Sequence, residues 1–505
     1  MTTPLRAGRR EWIALAVLAL PLLLVSMDVS VLYFAVPFIS ADLHATATQQ
    51  LWIFDVYGFV LAGLLITMGA LGDRIGRRRL LLCGAAGFGL ASVAAAFAQD
   101  PGQLIVARAA LGVGGATLMP STLALVRNMF HDDAQRAKAI AVWSAVMTGG
   151  VSLGPILSGL LLEHFWWGSV FLINVPAMLL LLVLGPVLLP EFRAPRAGRF
   201  DLSGSLLSLG AILPVVYGIK HAAAEGIGTV AIASVAIGLL LGVLFWRRQR
   251  QAAHPMIDLT MFANRVFGAG LLANTVAAFA LVGNAVFMTQ YLQLVLGMSP
   301  LRAALWSLAP SAAVAGAAPA ASALAGRHGR APVIVGGFVL GALGFGVISL
   351  VRPESPLTLV LAGAGVLACG VVAVMTLVTA LVLGAVPPSR AGAASALMET
   401  GSELGGALGI ALLGSLGAAV YRARLHTSVS HARDGLAGAV GAAAHLPSPA
   451  AHDLLVAARA AFVSGLDVVA IVGAAVLVLT ACSVGRLLRS RVTVSVAETT
   501  LVSHE

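Results

Sequence analysis

The sequence predicts an all-α integral membrane protein with fourteen transmembrane helices. Three observations carry this reading: composition, the recurrence of long apolar runs, and the placement of basic residues. Of 505 residues, 59% are hydrophobic and only 10% charged, with mean hydropathy +0.96; an average soluble domain has about 25% charged residues. Apolar runs of the length a helix needs to cross a bilayer recur from end to end. The net charge of +10 raises nucleic-acid binding as a class. The basic residues, however, are scattered through short loops rather than gathered on one domain, which excludes it.

Taken in order, segment 1–11 carries Arg6, Arg9 and Arg10 and leads into the run 12–38. That run is too long for a signal-peptide core and ends in no small-residue cleavage site, so it is read as the first membrane helix. Helices 2 and 3, over 52–71 and 80–98, flank a tight charged turn, Gly69 to Arg79, in which Asp73 is followed by Arg74, Arg77, Arg78 and Arg79. Helices 4 to 6 cover 103–126, 138–162 and 167–189, and the basic segment 193–199 closes the set. Helices 7 and 8 follow over 203–220 and 227–246, then a basic stretch at 247–265. Helices 9 to 14 are placed at 266–290, 302–325, 331–351, 357–384, 391–420 and 461–485. Segment 422–459 is the longest loop; its Ala/Gly-rich apolar stretches read equally as short interfacial helices, a hairpin or disorder. The tail 489–505 shows no periodic pattern and is expected to be mobile.

Charge sets the orientation. With both termini inside, 23 Lys and Arg fall in cytoplasmic segments and seven, Lys220 among them, in outer ones, with Arg108 left inside a helix. Lys and Arg are retained on the cytoplasmic side, so this asymmetry supports an even helix count with cytoplasmic termini. A weak repeat accompanies it: Ala325 to Arg330 falls between helices 10 and 11 as Gly72 to Arg79 falls between helices 2 and 3. The alignment yields an N-terminal six-helix half (12–190), two inserted helices (203–246) and a C-terminal six-helix half (266–488).

Ionisable residues at membrane depth are expensive, about 2.5–3.5 kcal/mol each at a helix centre, and so are functional candidates. The chain has Asp28 in helix 1, Asp55 in helix 2, Arg108 in helix 4, Glu399 and Glu403 in helix 13, and Asp467 in helix 14. Asp28 reads either as a packing group bonded to a neighbouring backbone or as a carboxylate that alternates between a proton and a cationic substrate, since burial disfavours its charged form. Asp55 lies among Trp52, Phe54 and Tyr57; aromatic faces beside a carboxylate suit a lipophilic cation, and also mark an ordinary interfacial belt. Glu399 and Glu403, four residues apart, share one helix face; they read either as two acids that hold a proton between them in low dielectric or, lying shortly after Arg390, as an exposed face at the cytoplasmic end of helix 13. A membrane arginine needs an acidic or carbonyl partner, and Asp28 or a helix 1 carbonyl serves for Arg108.

Other signals are negative. Cys83, Cys369 and Cys482 sit singly in apolar runs and read as small buried hydrophobes. No G-x-x-x-x-G-K-[ST] loop is present, so the chain hydrolyses no ATP. No H-E-x-x-H, G-x-S-x-G or Cys/His cluster points to a catalytic residue, a metal or a cofactor.

Three motifs occur in order. Gly69-Ala70-Leu71-Gly72-Asp73-Arg74-Ile75-Gly76-Arg77-Arg78 resembles the signature loop G-x-L-x-D-R-x-G-R-R/K of the major facilitator superfamily. Arg108 to Gly115 resembles the family's helix 4 motif R-x-x-x-G-x-G-G/A, whose arginine is associated with proton coupling. Gly150, Gly154, Pro155 and Gly159 make the string G-x-x-x-G-P-x-x-x-G, similar to the antiporter motif of drug/proton antiporters, with Ser158 where a further glycine is usual. With fourteen spans the chain resembles the 14-helix drug:proton antiporter branch, the group of quaternary-ammonium and multidrug efflux pumps of bacteria.

The resemblance implies the major facilitator fold, with parallel halves and a substrate site near the bilayer midplane between them. It implies a bacterial inner-membrane carrier, not an enzyme, that acts as a monomer and exports lipophilic cations by alternating access in exchange for protons. Asp28, Asp55, Trp52 and Tyr57 are the expected substrate residues. Asp28, Arg108, Glu399 and Glu403 are the expected proton-coupling residues. Gly69, Asp73, Arg74, Gly76, Arg77, Gly150, Gly154, Pro155 and Gly159 form the expected conformational set, in which Asp73 binds a helix end in one state and releases it in another. The alternatives are an exporter dedicated to one metabolite or antibiotic, and a non-transport membrane scaffold or lipid-handling protein.

Overall fold

The structure, a computed structural model, describes residues 7–193, 202–252, 259–387, 391–427 and 429–502. Each of the fourteen expected spans falls on a helix. These are α1 (Arg9–Asp42), α2 (Ala47–Ile75), α3 (Arg77–Ala96), α4 (Pro101–Met129), α5 (Asp133–His164), α6 (Ser169–Leu188), α7 (Leu202–Glu225), α8 (Thr229–Gln251), α9 (Arg265–Val295), α10 (Pro300–His328), α11 (Arg330–Ile348), α12 (Leu357–Gly384), α13 (Ala391–Arg424) and α14 (Ser448–Val502). Among the described residues no strand occurs. Among the described residues, eleven of the helices are long and apolar enough to cross a membrane, and thirteen when two bent pairs are each taken as one span. The remaining expected span is α7, whose apolar part, Leu206–Ala222, is shorter.

Local sequence explains the helix ends. Thr46 and Gln49 form a capping box at the start of α2, each bonding the other's backbone N–H. Asp100 accepts from Gln103 N at 3.0 Å and Pro101 opens α4, while Asp132 accepts from Gln135 N at 2.9 Å at the start of α5. Inside α5, Pro155 cannot donate to the carbonyl of Val151, and the helix bends by 42° between Val151 and Leu153.

The chain divides into two compact units. The first comprises Met1–Met256, Thr289–Ser307 and Tyr421–Phe462. In it α1 packs on α5, α2 on α4 and α7, α3 on α4 and α6, and α7 on α8. The second comprises Ile257–Met288, Leu308–Val420 and Val463–Glu505. In it α11 packs on α12, and α9 meets a small-residue face of α13, where a Cβ on Gly405 would lie 2.1 Å from the carbonyl oxygen of Thr275. Without a hydrophobic drive between helices in lipid, such faces supply the attraction by letting backbones approach. Large apolar side chains such as Leu90, Val106, Ile232 and Leu239 point outward, which suits a surface solvated by lipid.

Two expectations are corrected. The α13–α14 connection carries a 3₁₀ turn at Ser430–Asp434 and a short helix at Leu436–Ala443, one of the courses expected of it, but α14 begins at Ser448 rather than near 461. At its other end α14 is continuous to Val502, past the expected span end at 485. Cys83 and Cys482 lie exposed on their helices rather than buried.

Candidate functional site

Arg108 of α4 is fully buried and forms an ion pair with Asp28 of α1, itself 7% exposed. Its Nη1 donates to Asp28 Oδ2 and its Nε donates to the carbonyl oxygen of Ile53 at 3.1 Å. The guanidinium carbon stands 4.7 Å above the ring of Tyr57. One side chain on α4 therefore ties α1 to α2. The glycines after it make this reach possible: a Cβ on Gly112 would lie 2.8 Å from the carbonyl oxygen of Tyr57, and one on Gly115 2.7 Å from Leu61. A guanidinium out of water needs several acceptors at once; Nη1 and Nε find theirs in Asp28 and Ile53, the Tyr57 ring covers the group, and Nη2 is left without a hydrogen bond.

The glycine string of α5 abuts the same turn of α1. A Cβ on Gly150 would lie 1.9 Å from Ser26 Oγ, and one on Gly154 2.0 Å from Ser30 Oγ. Ser26 and Ser30 return their hydroxyls to Leu23 O and Met27 O of α1, so Asp28 lies between two serines that bear on α5. Ser158, the departure from the motif, donates to Val31 O at 2.9 Å and continues the seam by a hydrogen bond. Gly159 instead meets the backbone of Leu301, 2.6 Å from where its Cβ would be.

Asp55 and Trp52 hold a residue that the sequence places among the outer loop charges. Lys220 of α7 is 1% exposed, and its Nζ lies 2.7 Å from Asp55 Oδ2 and 4.2 Å above the Trp52 ring. The separation is that of an ion pair; the ammonium lies off the directions of a well-aligned hydrogen bond and is shared with the indole face. Trp52 and Tyr57, expected to offer their faces to an incoming cation, thus carry the protein's own Lys220 and Arg108. The signal for Lys220 was its identity: it is one of two lysines in the chain, and α7 runs beyond it to Glu225.

In the second unit, Glu399 and Glu403 are half-buried on α13. Gly401 and Gly405 face α9, where Asn274 Nδ2 donates to Met398 O at 2.9 Å and to Ser402 Oγ at 2.8 Å. At 3.6 residues per turn, the two glutamates share a face about half a turn from that seam. Asp467 of α14 is taken by Arg352, at 3.0 Å.

The charged turn between α2 and α3 is latched. Arg77 binds Asp73 at 2.6 Å, Arg78 Nη1 donates to the carbonyls of Pro186 and Leu189, and Arg78 N donates to Glu191 Oε1 at 3.1 Å. Gly76 has φ +116°, a conformation costly for other residues, and a Cβ there would lie 2.4 Å from Glu191 Oε1. Glu191 was not singled out from sequence, since it lies outside the motif. Arg74, exposed in the last turn of α2, and Gly69, whose Cβ would sit 3.8 Å from Pro120, complete the segment.

Comparison with known proteins agrees with this architecture. The family model of the Major Facilitator Superfamily matches residues 18–409. The chain is 46% identical over 487 residues to the multidrug efflux pump LfrA of Mycolicibacterium smegmatis, covering 95% of this chain and 96% of that protein. It is 36% identical to the methyl viologen resistance protein SmvA of Salmonella typhimurium, covering 90% and 93%. Among solved structures, a bacterial homolog of the human lysosomal transporter Spinster superposes with a TM-score of 0.68 at 16% identity, covering 95% and 98%, which speaks to the fold. The chain is a helical multi-pass membrane protein and belongs to the Major Facilitator Superfamily.

Proposed function

We propose that this chain is a proton-coupled efflux antiporter that exports lipophilic cations, such as dyes, quaternary ammonium compounds and antibiotics, across a bacterial inner membrane by alternating access. The observation that carries the reading is the buried Asp28–Arg108 pair, set between the α2–α4 glycine contact and the α5 seam. Similarity to LfrA and SmvA, whose names describe multidrug efflux and methyl viologen resistance, supports the substrate class. Loop charge supports cytoplasmic termini. No second subunit is invoked, and a monomer is proposed.

The geometry suggests how a proton is used. With Asp28 ionised, Arg108 fastens α1 to α2 and α4. Protonation removes the anion, yet Arg108 keeps the Ile53 carbonyl and the Tyr57 face, so α1 is released while the arginine stays solvated by protein. Because α1 carries Ser26 and Ser30 against α5, its release is felt along the glycine seam. The proton thereby selects between two packings of one bundle, which is all that coupling requires. A cationic cargo from the cytoplasm competes with Arg108 for the ionised carboxylate, the arginine falling back on the Ile53 carbonyl and the Tyr57 face, and protonation from the outside dismisses the cargo. Glu399 and Glu403 serve as a further proton-holding pair.

Everted vesicles energised by a proton gradient and given ethidium in the outer medium test the reading. Uptake that collapses with an uncoupler supports it. Uncoupler-insensitive behaviour favours a scaffold or lipid-handling role. Protection of cells against a single compound class favours a dedicated exporter.

A further inference from the structure

Helices α2 and α7 run antiparallel in the first unit. Asp55 meets Lys220, and eight residues further along α2, Gly63 meets Leu209, eleven residues back along α7. A Cβ on Gly63 would stand 2.4 Å from Leu209 Cδ2, so the leucine seats in a notch that any larger residue would fill. Tyr217, one turn before Lys220, brings its ring to 6.4 Å from that of Trp52 and stacks on His221 at 5.8 Å. The other face of α7 meets α8 through apolar contacts, with Gly218 against Ala231 and Val235, and Gly238 against Ala211 and Val215.

A carboxylate beside an indole face is chemically a seat for an organic ammonium. Here a side chain of the same protein occupies it. Lys220 and Asp55 are both without exposed side-chain surface. Nothing hydrophobic holds two helices together in lipid, but parting α7 from α2 would leave two uncompensated charges in hydrocarbon. The contrast with Asp28 is direct: Arg108 keeps a carbonyl and a ring when its acid is neutralised, whereas Lys220 has Asp55 and the Trp52 face.

We propose that Lys220 is the permanent occupant of the Asp55–Trp52 niche. It withdraws Asp55 from the exchange of protons and cargo, and it fastens the inserted α7–α8 hairpin to the N-terminal bundle. The first part rests on the exporter reading; the second does not.

The test compares Asp55→Asn, Lys220→Met and the double variant in the full-length protein, by thermal unfolding in detergent and by uncoupler-sensitive ethidium efflux. Each single change strands one buried charge and is expected to lower Tm by several degrees with loss of most efflux. The double variant removes both charges and is expected to regain most of both. A double variant as stable as the wild type yet devoid of efflux would show that Asp55 is an exchanging carboxylate and overturn the first part. Tm losses that simply add would overturn the second. If neither single variant accumulates, the double variant and the charge-exchanged Asp55→Lys/Lys220→Asp decide: accumulation of either supports the fastening, and failure of both contradicts it. A wild type without uncoupler-sensitive efflux would fail the exporter reading alone, and the Tm comparison would still stand.

Discussion

Arg108 and Asp28 form a buried ion pair that joins α4 to α1, and the same guanidinium reaches α2 through the Ile53 carbonyl and the Tyr57 ring. Removing one partner of such a pair is far worse than never having had it, because the other charge is left uncompensated. Arg108→Ala is therefore expected to destabilise the protein by about 3–5 kcal/mol and to abolish efflux. Arg108→Lys keeps the charge but loses the fork that contacts Asp28 and Ile53 together. It should be folded yet impaired, and comparing Tm and initial efflux rates of the two variants checks this.

The α1–α5 seam predicts a suppressor. Gly154→Ala places a methyl carbon where Ser30 Oγ stands, an overpacking expected to cost about 1–3 kcal/mol and to slow efflux. Ser30→Ala in the same chain removes the oxygen that collides, leaving Met27 O and the Cβ of residue 30 each at 3.2 Å, and should restore part of the rate. Equal losses in the single and double variants would place the defect elsewhere.

The latch between α3 and the end of α6 depends on a backbone only glycine adopts readily. Gly76→Ala combines φ +116° with a collision against Glu191, so a loss of about 1–3 kcal/mol is expected. Glu191→Gln retains an acceptor for Arg78 N while losing the weak ionic contacts to Arg78 and Arg79 at 3.7 and 3.8 Å, and should be the milder change. Thermal unfolding of both variants ranks them.

Asp434, half-buried in the α13–α14 connection, has its carboxyl pushed above the ordinary range by burial, against the opposing pull of His431 and Arg422. The fold thus favours the protonated acid. Its stability contribution is complete below about pH 4, where the unfolded chain is also protonated, and is lost as pH rises through the folded value. Asp434→Asn should therefore match or exceed the wild-type Tm at pH 7, and the gap should close on acidification. A variant less stable at pH 7 than at pH 4, relative to wild type, would reverse the sign.

Much of this was legible in the chain itself. Hydropathy located the spans because a bilayer admits few alternatives, and the rule that a membrane arginine must find an acid or a carbonyl narrowed the partners of Arg108 to Asp28 or a helix 1 carbonyl without choosing between them. Which groups pair across helices distant in sequence was not legible: Arg108 takes Asp28 together with a carbonyl of α2, Ile53. Lys220 lies 165 residues from Asp55 and at the very end of its predicted span, where a lysine is ordinarily an interfacial charge. Glu191 lies just past a helix end, where acids are commonplace, and only the fold brings it under Gly76. The course of the α13–α14 connection was equally hidden, since Ala- and Gly-rich sequence is compatible with helix and loop alike.

The central claim is that the charge state of Asp28 couples protons to cation export. The most direct measurement is ethidium transport in everted vesicles under an imposed pH gradient, comparing wild type with Asp28→Asn at matched protein level. The account predicts that the variant, unable to lose a proton, transports nothing above the uncoupled background. Transport at the wild-type rate, still driven by the gradient, would contradict it.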